Sequence, residues 1–168
     1  MIQLDELFEV HNGLSSDRVK ISEEKTGKHT LAYIRPTRTW VNLIAGYLNR
    51  AKVPDGYIFP PDTILVGTDG SSSHTYAYVS AIEFVPNSNV VALIPKREMD
   101  LREKIYYALC ISHNRYRFSY GRKPKGDRFT SIKLPDSPPD WLDEHIEDVL
   151  KGRLREIVAG IGTKGSNK

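Results

Sequence analysis

The chain of 168 residues has few of the features that mark secreted, membrane or disulfide-rich proteins. Its single cysteine, Cys110, excludes a disulfide framework within the chain. No apolar run approaches the roughly 18 residues of a membrane span, and the first ten residues are acidic, unlike those of a signal peptide. We therefore expect one cytoplasmic domain that has its own hydrophobic core and no membrane partner.

The patterns of common catalytic sites are also missing. Cys110 and His113 have the spacing of two metal ligands, but no second pair accompanies them, so Cys110 is interpreted as a core residue. The loop at 67–75, which we call the Gly/Ser loop, lacks the Gly-Lys-Ser/Thr ending of a phosphate-binding P-loop. Pro61-Asp62 is not followed by the acid-x-Lys triplet of restriction-type nucleases. These absences predict a binding protein without catalytic residues, metal or cofactor.

The hydrophobic pattern predicts the α+β fold class, with strands first and helices later. Strands are expected at 8–13, 28–36 and 89–95, and two or three short ones within 63–85. The segment 89–95 is apolar almost throughout, as in a strand that is covered on both faces. We expect a twisted β-sheet with peripheral helices.

Two helices are predicted in the second half of the chain. Asp100 is the expected N-cap of a helix over 101–112, whose buried stripe would contain Leu101, Ile105 and Leu109, with Ala108 adjacent. Asp140 is the expected cap of a second helix that continues toward Ile161. The apolar side of this second helix would consist of Trp141, Leu142, Ile146, Val149 and Leu150.

Positive charge is concentrated in one segment, although the net charge is only +3. Residues 115–133, the basic segment, contain seven basic residues and one acidic residue, whereas residues 136–148 contain six acidic residues and no lysine or arginine. Aromatic side chains lie between the basic ones: Tyr116, Phe118, Tyr120 and Phe129. A solvated charged face would have this charge, but the interleaved aromatics favour a surface that binds a polyanion.

Two other loops carry groups that suit nucleic acid. The segment "RPTRTW" is either a loop that faces a DNA groove or a partly buried tryptophan with solvated arginines, and its candidate contacts are Arg35, Thr37, Arg38 and Trp40. The Gly/Ser loop offers the hydroxyls of Ser71, Ser72 and Ser73 to phosphates or bases. A tight turn between strands is the simpler interpretation of its glycines.

Four segments, taken in order, resemble the target recognition domain of restriction–modification specificity subunits. They are "LDELFEVHNG", "GYIFPPDTILVGTDGSSSHTYAYVSAIEFVPNSNVVALIPK", "RFSYGRK" and "SIKLP". This is the Type I specificity-subunit family, to which domains fused to Type II methyltransferase–nucleases are related. The resemblance covers about residues 2–142 and implies a non-catalytic domain that reads one half of a bipartite site in double-stranded DNA. The implied partners are a DNA methyltransferase subunit and a restriction subunit.

The resemblance and the chemistry of the basic segment together nominate eight DNA contacts. The motif "RFSYGRK" places near the DNA Arg117, Tyr120, Arg122 and Lys123. The chemistry of the neighbouring side chains adds Arg115, Tyr116, Lys125 and Arg128.

Their roles follow from their chemistry. The cations of the Gly- and Pro-containing loop 122–125 suit phosphate contacts. Arg115 and Arg117 suit bidentate pairing with guanine, and either tyrosine can stack or use its hydroxyl. Phe118 is interpreted as a core residue.

The chain departs from the family in its helices. Type I specificity subunits carry two recognition domains separated by long paired helices, whereas this chain has one domain and a short helical region. We expect residues 1–139 to form the DNA target recognition domain, residues 140–161 a helix that contacts a partner or a second copy, and residues 162–168 a flexible tail. Packing of the helix onto its own domain is the alternative. The chain would be a half-subunit that dimerises, a domain of a larger enzyme, or a piece of a split gene.

Two functions of other classes remain open. A nuclease would use carboxylates such as those of Asp62, Asp69 and Glu83, and it would cleave DNA with a divalent metal. A protein-interaction module would use the basic segment against an acidic protein surface and would have little affinity for duplex DNA.

Overall fold

The computed structural model describes residues 1–38, 43–70, 72–118 and 122–145, together with residues 148 and 151. Within these residues nine strands form three sheets, and helices pack at their periphery. The predicted α+β class is therefore confirmed. Among the described helices, none is long and apolar enough to cross a membrane.

A four-stranded antiparallel sheet forms the centre of the molecule. Strands are numbered in the order in which they occur along the chain. The spatial order in this sheet is β2 (Phe8–Asn12), β8 (Val90–Pro95), β5 (Ile64–Gly67) and β6 (Ala77–Val79). The two central strands are covered on both faces, as the apolar segment 89–95 predicted: Val66 and Leu93 belong to one core cluster, and Leu65 belongs to another on the opposite face.

A three-stranded sheet covers one face of the four-stranded sheet. Its strands, in spatial order, are β4 (Ile44–Asn49), β3 (His29–Ile34) and β7 (Phe84–Pro86). Strand β3 pairs antiparallel with β4 and parallel with β7. Strand β4 was not expected from the sequence because Gly46 interrupts its apolar pattern. A Cβ at Gly46 would lie 2.7 Å from the carbonyl oxygen of Ser22, so glycine permits this close approach.

The third sheet joins the two ends of the folded unit. It consists of β1 (Ile2–Gln3) and β9 (Lys133–Leu134), which pair antiparallel with Ile2 opposite Leu134. Two short helices lie near these strands, α1 (Leu4–Leu7) and α3 (Asp127–Thr130). Leu4, Leu7 and Phe129 from these helices are buried in the main core cluster.

Helix α2 (Leu101–His113) packs on the other face of the four-stranded sheet. Its predicted cap is confirmed, because Asp100 Oδ1 accepts a hydrogen bond of 2.9 Å from the backbone N–H of Glu103. The predicted buried stripe is only partly right: Ala108 is buried as expected, but Leu101 is 47% exposed, Ile105 and Leu109 are half-buried, and the other buried residues are Tyr107 and Ile111. The helix is rotated so that the predicted stripe lies along its rim, where it borders a shallow apolar cavity of about 250 Å³ beside β6.

The predicted second helix is helical at residues 142–145, 148 and 151. Outside the described residues lie Ile146, Val149, Leu150 and the segment 152–168. Leu142 is buried, and Asp143 forms an ion pair of 2.7 Å with Arg102 of α2. The beginning of this helix therefore packs on its own domain.

Candidate nucleic-acid interface

Three loops that carry predicted contacts meet at one end of the two larger sheets. The loop at 35–38 follows β3, the Gly/Ser loop follows β5, and the basic segment follows α2. The hydroxyl of Tyr78 on β6 donates hydrogen bonds to the carbonyls of Thr37 (3.2 Å) and Arg38 (2.7 Å). Residues that are far apart in the sequence are thus brought onto one surface.

The Gly/Ser loop is closed by its own hydrogen bonds. The backbone N–H of Thr75 donates to the carbonyl of Gly67 (2.6 Å), and the hydroxyl of Ser73 donates to the carbonyl of Asp69 (3.1 Å). Gly70 has a φ of +92°, a left-handed conformation that favours glycine. The tight-turn interpretation of the glycines is consistent with this geometry. Among the described serines of the loop, Ser72 has an exposed side chain.

An ion pair links the Gly/Ser loop to the basic segment. Lys123 Nζ lies 2.8 Å from Asp69 Oδ1 and 3.0 Å from Oδ2. The pKa of the Asp69 carboxyl is lowered first by this contact, then by the backbone N–H of Gly70, and further by the charge of Lys125. The carboxylate therefore stays ionised at neutral pH and holds the two loops together.

Arg115 makes a second link between the same loops. Its Nε donates a hydrogen bond of 3.0 Å to the carbonyl of His74, and its guanidinium lies 4.8 Å from the centre of the Tyr76 ring. The pKa of His74 is lowered by burial and then by the charge of Arg115, against an opposing effect of Asp69. His74 is therefore neutral at pH 7, and the guanidinium of Arg115 is engaged within the domain.

Buried residues fix the basic segment to the domain. Phe118 is 6% exposed and Phe129 is 2% exposed, and Pro124 is buried between them in the sequence. The core position predicted for Phe118 is confirmed. Apart from the half-buried Arg115, the basic side chains of the segment are exposed, and Tyr116 is 75% exposed.

The exposed arginines of the segment border a cleft. Its volume is about 400 Å³, and its lining residues are Arg117, Phe118, Arg122, Arg128 and Ser131. Among the described residues, no carboxylate forms an ion pair with any of the three arginines.

Some predicted residues cannot be placed, and the predicted nuclease carboxylates are not gathered. Trp40, Ser71 and Tyr120 lie outside the described residues.

Glu83 forms an ion pair with Arg50, and Asp69 pairs with Lys123. The described residues contain no group of three His, Cys, Asp or Glu side chains that could hold a metal ion.

Three residues of this surface were not expected to belong to it. The sequence indicated Asp69 only as a nuclease carboxylate, and it did not indicate Tyr76 or Ser131. The signal for Asp69 is its Asp-Gly turn directly after a buried strand, opposite a segment rich in cations. No local signal marks Tyr76, because its partner Arg115 comes from a distant part of the chain.

Comparison with known proteins agrees with this geometry. Residues 1–151 match the family described as the Type I restriction modification DNA specificity domain. The chain belongs to this family. The predicted resemblance is therefore confirmed, and the chain is a specificity domain of the kind found in type I restriction–modification systems. None of the curated protein sequences matches it.

Solved structures of specificity subunits have the same fold as this specificity domain. The S subunit of a type I restriction–modification system from M. genitalium has a TM-score of 0.62 at 16% identity, with 94% of this chain and 41% of that chain covered. The HsdS subunit from Thermoanaerobacter tengcongensis has a TM-score of 0.60 at 13% identity, with coverages of 99% and 40%.

A third similar chain comes from a structure that concerns complex assembly and conformational transition of the type I system. Its TM-score is 0.65 at 12% identity, with 96% of this chain and 40% of that chain covered. The specificity domain thus spans about two fifths of the length of each of these proteins.

Proposed function

We propose that this specificity domain recognises a sequence in double-stranded DNA and directs a DNA methyltransferase subunit, alone or with a restriction subunit, to that sequence. The observation that carries the proposal is the convergence of the loop at 35–38, the Gly/Ser loop and the basic segment on one surface. Loops on a rigid scaffold are the usual site of recognition, because they can vary without disturbing the core.

The contacts divide into positioning and binding groups. Arg115 and the Asp69–Lys123 pair hold the Gly/Ser loop against the basic segment. The exposed cations, including Lys125 and Arg38, face the DNA backbone, whereas Ser72 and Tyr116 are candidates for contacts to base edges. Sequence readout takes place in the major groove, where each base pair has its own pattern of donors and acceptors.

The domain itself contributes no catalysis in this proposal. Its described carboxylates are not gathered into a metal-binding group, and the chemistry belongs to the partner subunit in the cytoplasm. Residues 1–139 are the recognition unit, and the region 140–161 contacts the partner or a second copy. Trp141 supports this assignment, because it is 51% exposed beside a largely apolar cavity of about 630 Å³ that Tyr106 and Leu109 also line.

The test is selection from a randomised pool of duplex DNA at low and moderate salt, followed by sequencing of the retained molecules. We expect enrichment of a short motif and a steep loss of binding with salt. Arg117→Ala should weaken retention. Lys52→Ala, at the opposite end of β3, is the matched control and should not. An absence of binding at the lowest salt, or binding without any enrichment, would contradict sequence recognition by the free chain.

A further inference from the structure

We infer that Arg117, Arg122 and Arg128 hold one phosphate group together in the cleft that they line. The ligand is a phosphodiester of the DNA backbone, so this inference rests on the proposed function and deepens it. It assigns these arginines to anchoring the duplex, and it removes Arg117 from the candidates for base recognition.

The shape of the cleft supports a small anion as the ligand. The three arginines surround a concavity of about 400 Å³, and the aromatic side chain of Phe118 contributes its apolar wall. The exposed side chain of Ser131 lies at the rim, where its hydroxyl donates a hydrogen bond of 3.4 Å to the carbonyl of Arg128. Guanidinium groups offer paired N–H donors that match phosphate oxygens.

The charge of the cleft lacks compensation within the part of the chain that the structure describes. Three other arginines each pair with a carboxylate: Arg50 with Glu83, Arg97 with Glu103 (2.6 Å) and Arg102 with Asp143 (2.7 Å). The three cleft arginines have no such partner among the described residues. Cations that surround one concave surface repel each other, and the attraction of each to a bound anion would offset this repulsion.

Buried aromatic side chains fix the backbone beside two of the arginines. Phe118 directly follows Arg117 and Phe129 directly follows Arg128, and both rings are buried. The short helix α3, which carries Arg128, is closed by backbone hydrogen bonds from Phe129 to Gly126 (2.9 Å) and from Ser131 to Asp127 (3.0 Å). At Arg117 and Arg128 the backbone is held by its own packing, so binding an anion there orders side chains alone, which reduces its entropic cost.

The number of phosphates can be counted from the salt dependence of binding. Each neutralised phosphate contributes about 0.9 to the slope of log K against log salt. Three arginines on one phosphate therefore account for about 0.9 in total, whereas three arginines on separate phosphates account for about 2.7. The variant Arg117→Gln/Arg122→Gln/Arg128→Gln distinguishes these values.

The control variant is Arg18→Gln/Lys20→Gln/Lys52→Gln. These residues line a second basic cavity, of about 440 Å³, at the end of β3 where His29 begins the strand. The control removes the same number of charges from the opposite end of the strand. Both variants are compared with the unmodified chain by binding to one random-sequence duplex across a salt series, and circular dichroism verifies that each variant is folded.

Inorganic phosphate provides a second measurement that does not depend on DNA. It is titrated into the isotope-labelled chain at low ionic strength, and the Nε–H signals of arginine and the backbone amide of Ser131 are followed by NMR. We expect saturating shifts of the cleft signals in the unmodified chain and in the control variant, and none in the cleft variant. A lack of shifts in the unmodified chain would overturn the anion site whether or not DNA binds.

The DNA measurement decides the identity of the ligand. The slope of log K against log salt should become shallower by about 0.9 in the cleft variant and stay unchanged in the control, and this result supports one backbone phosphate. An unchanged slope, a fall of about 2.7, or an equal fall in the control would overturn it, even if the chain still selects a DNA sequence. If the unmodified chain binds no DNA, the proposed function and the phosphodiester ligand both fail, whereas the phosphate titration still reports on the anion site itself.

Discussion

Five of the seven cations of the basic segment form two groups that differ in their surroundings although they are interspersed in the sequence. Arg115 and Lys123 are engaged with the Gly/Ser loop through His74, Tyr76 and Asp69. The three cleft arginines have no carboxylate partner among the described residues. Identical residue types in one segment therefore have different consequences: the engaged group shapes the surface, and the cleft group supplies charge to a ligand.

Both groups depend on the same buried anchors, so the largest effect is expected from removing one of them. Phe129→Ala should lower the free energy of unfolding by about 3–5 kcal/mol, because it leaves a cavity in the main core beside the cleft. Urea denaturation followed by circular dichroism measures this change. Tyr116→Ala, at an exposed aromatic of the same segment, is the control and should change stability by less than about 0.5 kcal/mol. Equal effects of the two variants would show that the anchors do not support the segment.

Two neighbouring residues give the sharpest test of the difference between the groups. Arg122→Ala removes one of three cations at the cleft and should reduce DNA affinity without loosening the Gly/Ser loop, whereas the salt dependence should change little because Arg117 and Arg128 still hold the phosphate. Lys123→Ala removes a cation that Asp69 already neutralises, so the DNA affinity should change less than in Arg122→Ala, while hydrogen exchange in the Gly/Ser loop should become faster. DNA binding across a salt series and exchange measured by mass spectrometry test both expectations. Indistinguishable variants would remove the basis for the two groups.

A cation of the engaged group can also be deprived of its carboxylate partner, so that it resembles the cleft arginines. Asp69→Asn removes the counter-charge of Lys123, so the slope of log K against log salt should steepen by about 0.9 and affinity for random duplex DNA should rise several-fold. Enrichment of a preferred motif should decline, because the Gly/Ser loop loses its link to the basic segment. The same pool selection measures this change. Weaker binding to random DNA would show that Lys123 contacts DNA only while it is held by Asp69.

The acid limit of this pair follows from the lowered pKa of Asp69. A carboxyl whose pKa is lowered in the folded state stabilises that state above its ordinary pKa, and this contribution is lost only as the pH falls through the lowered value. The pair should therefore remain intact between about pH 5 and pH 8.

The smallest expected effect concerns His74 beside the engaged Arg115. Its lowered pKa means that the unfolded chain binds a proton more readily, so stability should fall as the pH decreases below about 6.5 and through the folded value. An NMR titration should give a midpoint below that of a free imidazole. Arg115→Gln should raise this midpoint only in part, since burial is the larger cause of the shift. A midpoint at or above the ordinary value in the unmodified chain would contradict the burial of His74.

Much of the fold could be predicted because its strands are strongly apolar. The continuous run at 89–95 indicated a strand covered on both faces, and Asp100 indicated where α2 begins. Strand β4 was missed because Gly46 has no side chain to continue the apolar pattern. Glycine is needed at this position because the backbone of Ser22, distant in the sequence, approaches it closely. The buried face of α2 was misassigned because spacing defines a stripe on a helix, whereas the position of the sheet decides which stripe is buried.

The candidate site was predictable in composition and not in pairing. The concentration of cations between 115 and 128 is visible in the sequence, as is the core position of Phe118. The pairing of Lys123 with Asp69 joins residues 54 positions apart, and no local pattern contains that information. The distinction between the engaged and the cleft cations therefore arises only when the sheets bring the loops together.

The antiparallel pairing of β1 with β9 has a consequence for the way such a unit can be used. Because Ile2 lies opposite Leu134, the first and last of the described strands are neighbours in space. A body with neighbouring ends can be inserted into a surface loop of a host polypeptide, or repeated along one, without stretching either. The geometry of this small sheet therefore suits the insertion of the whole unit into a longer polypeptide.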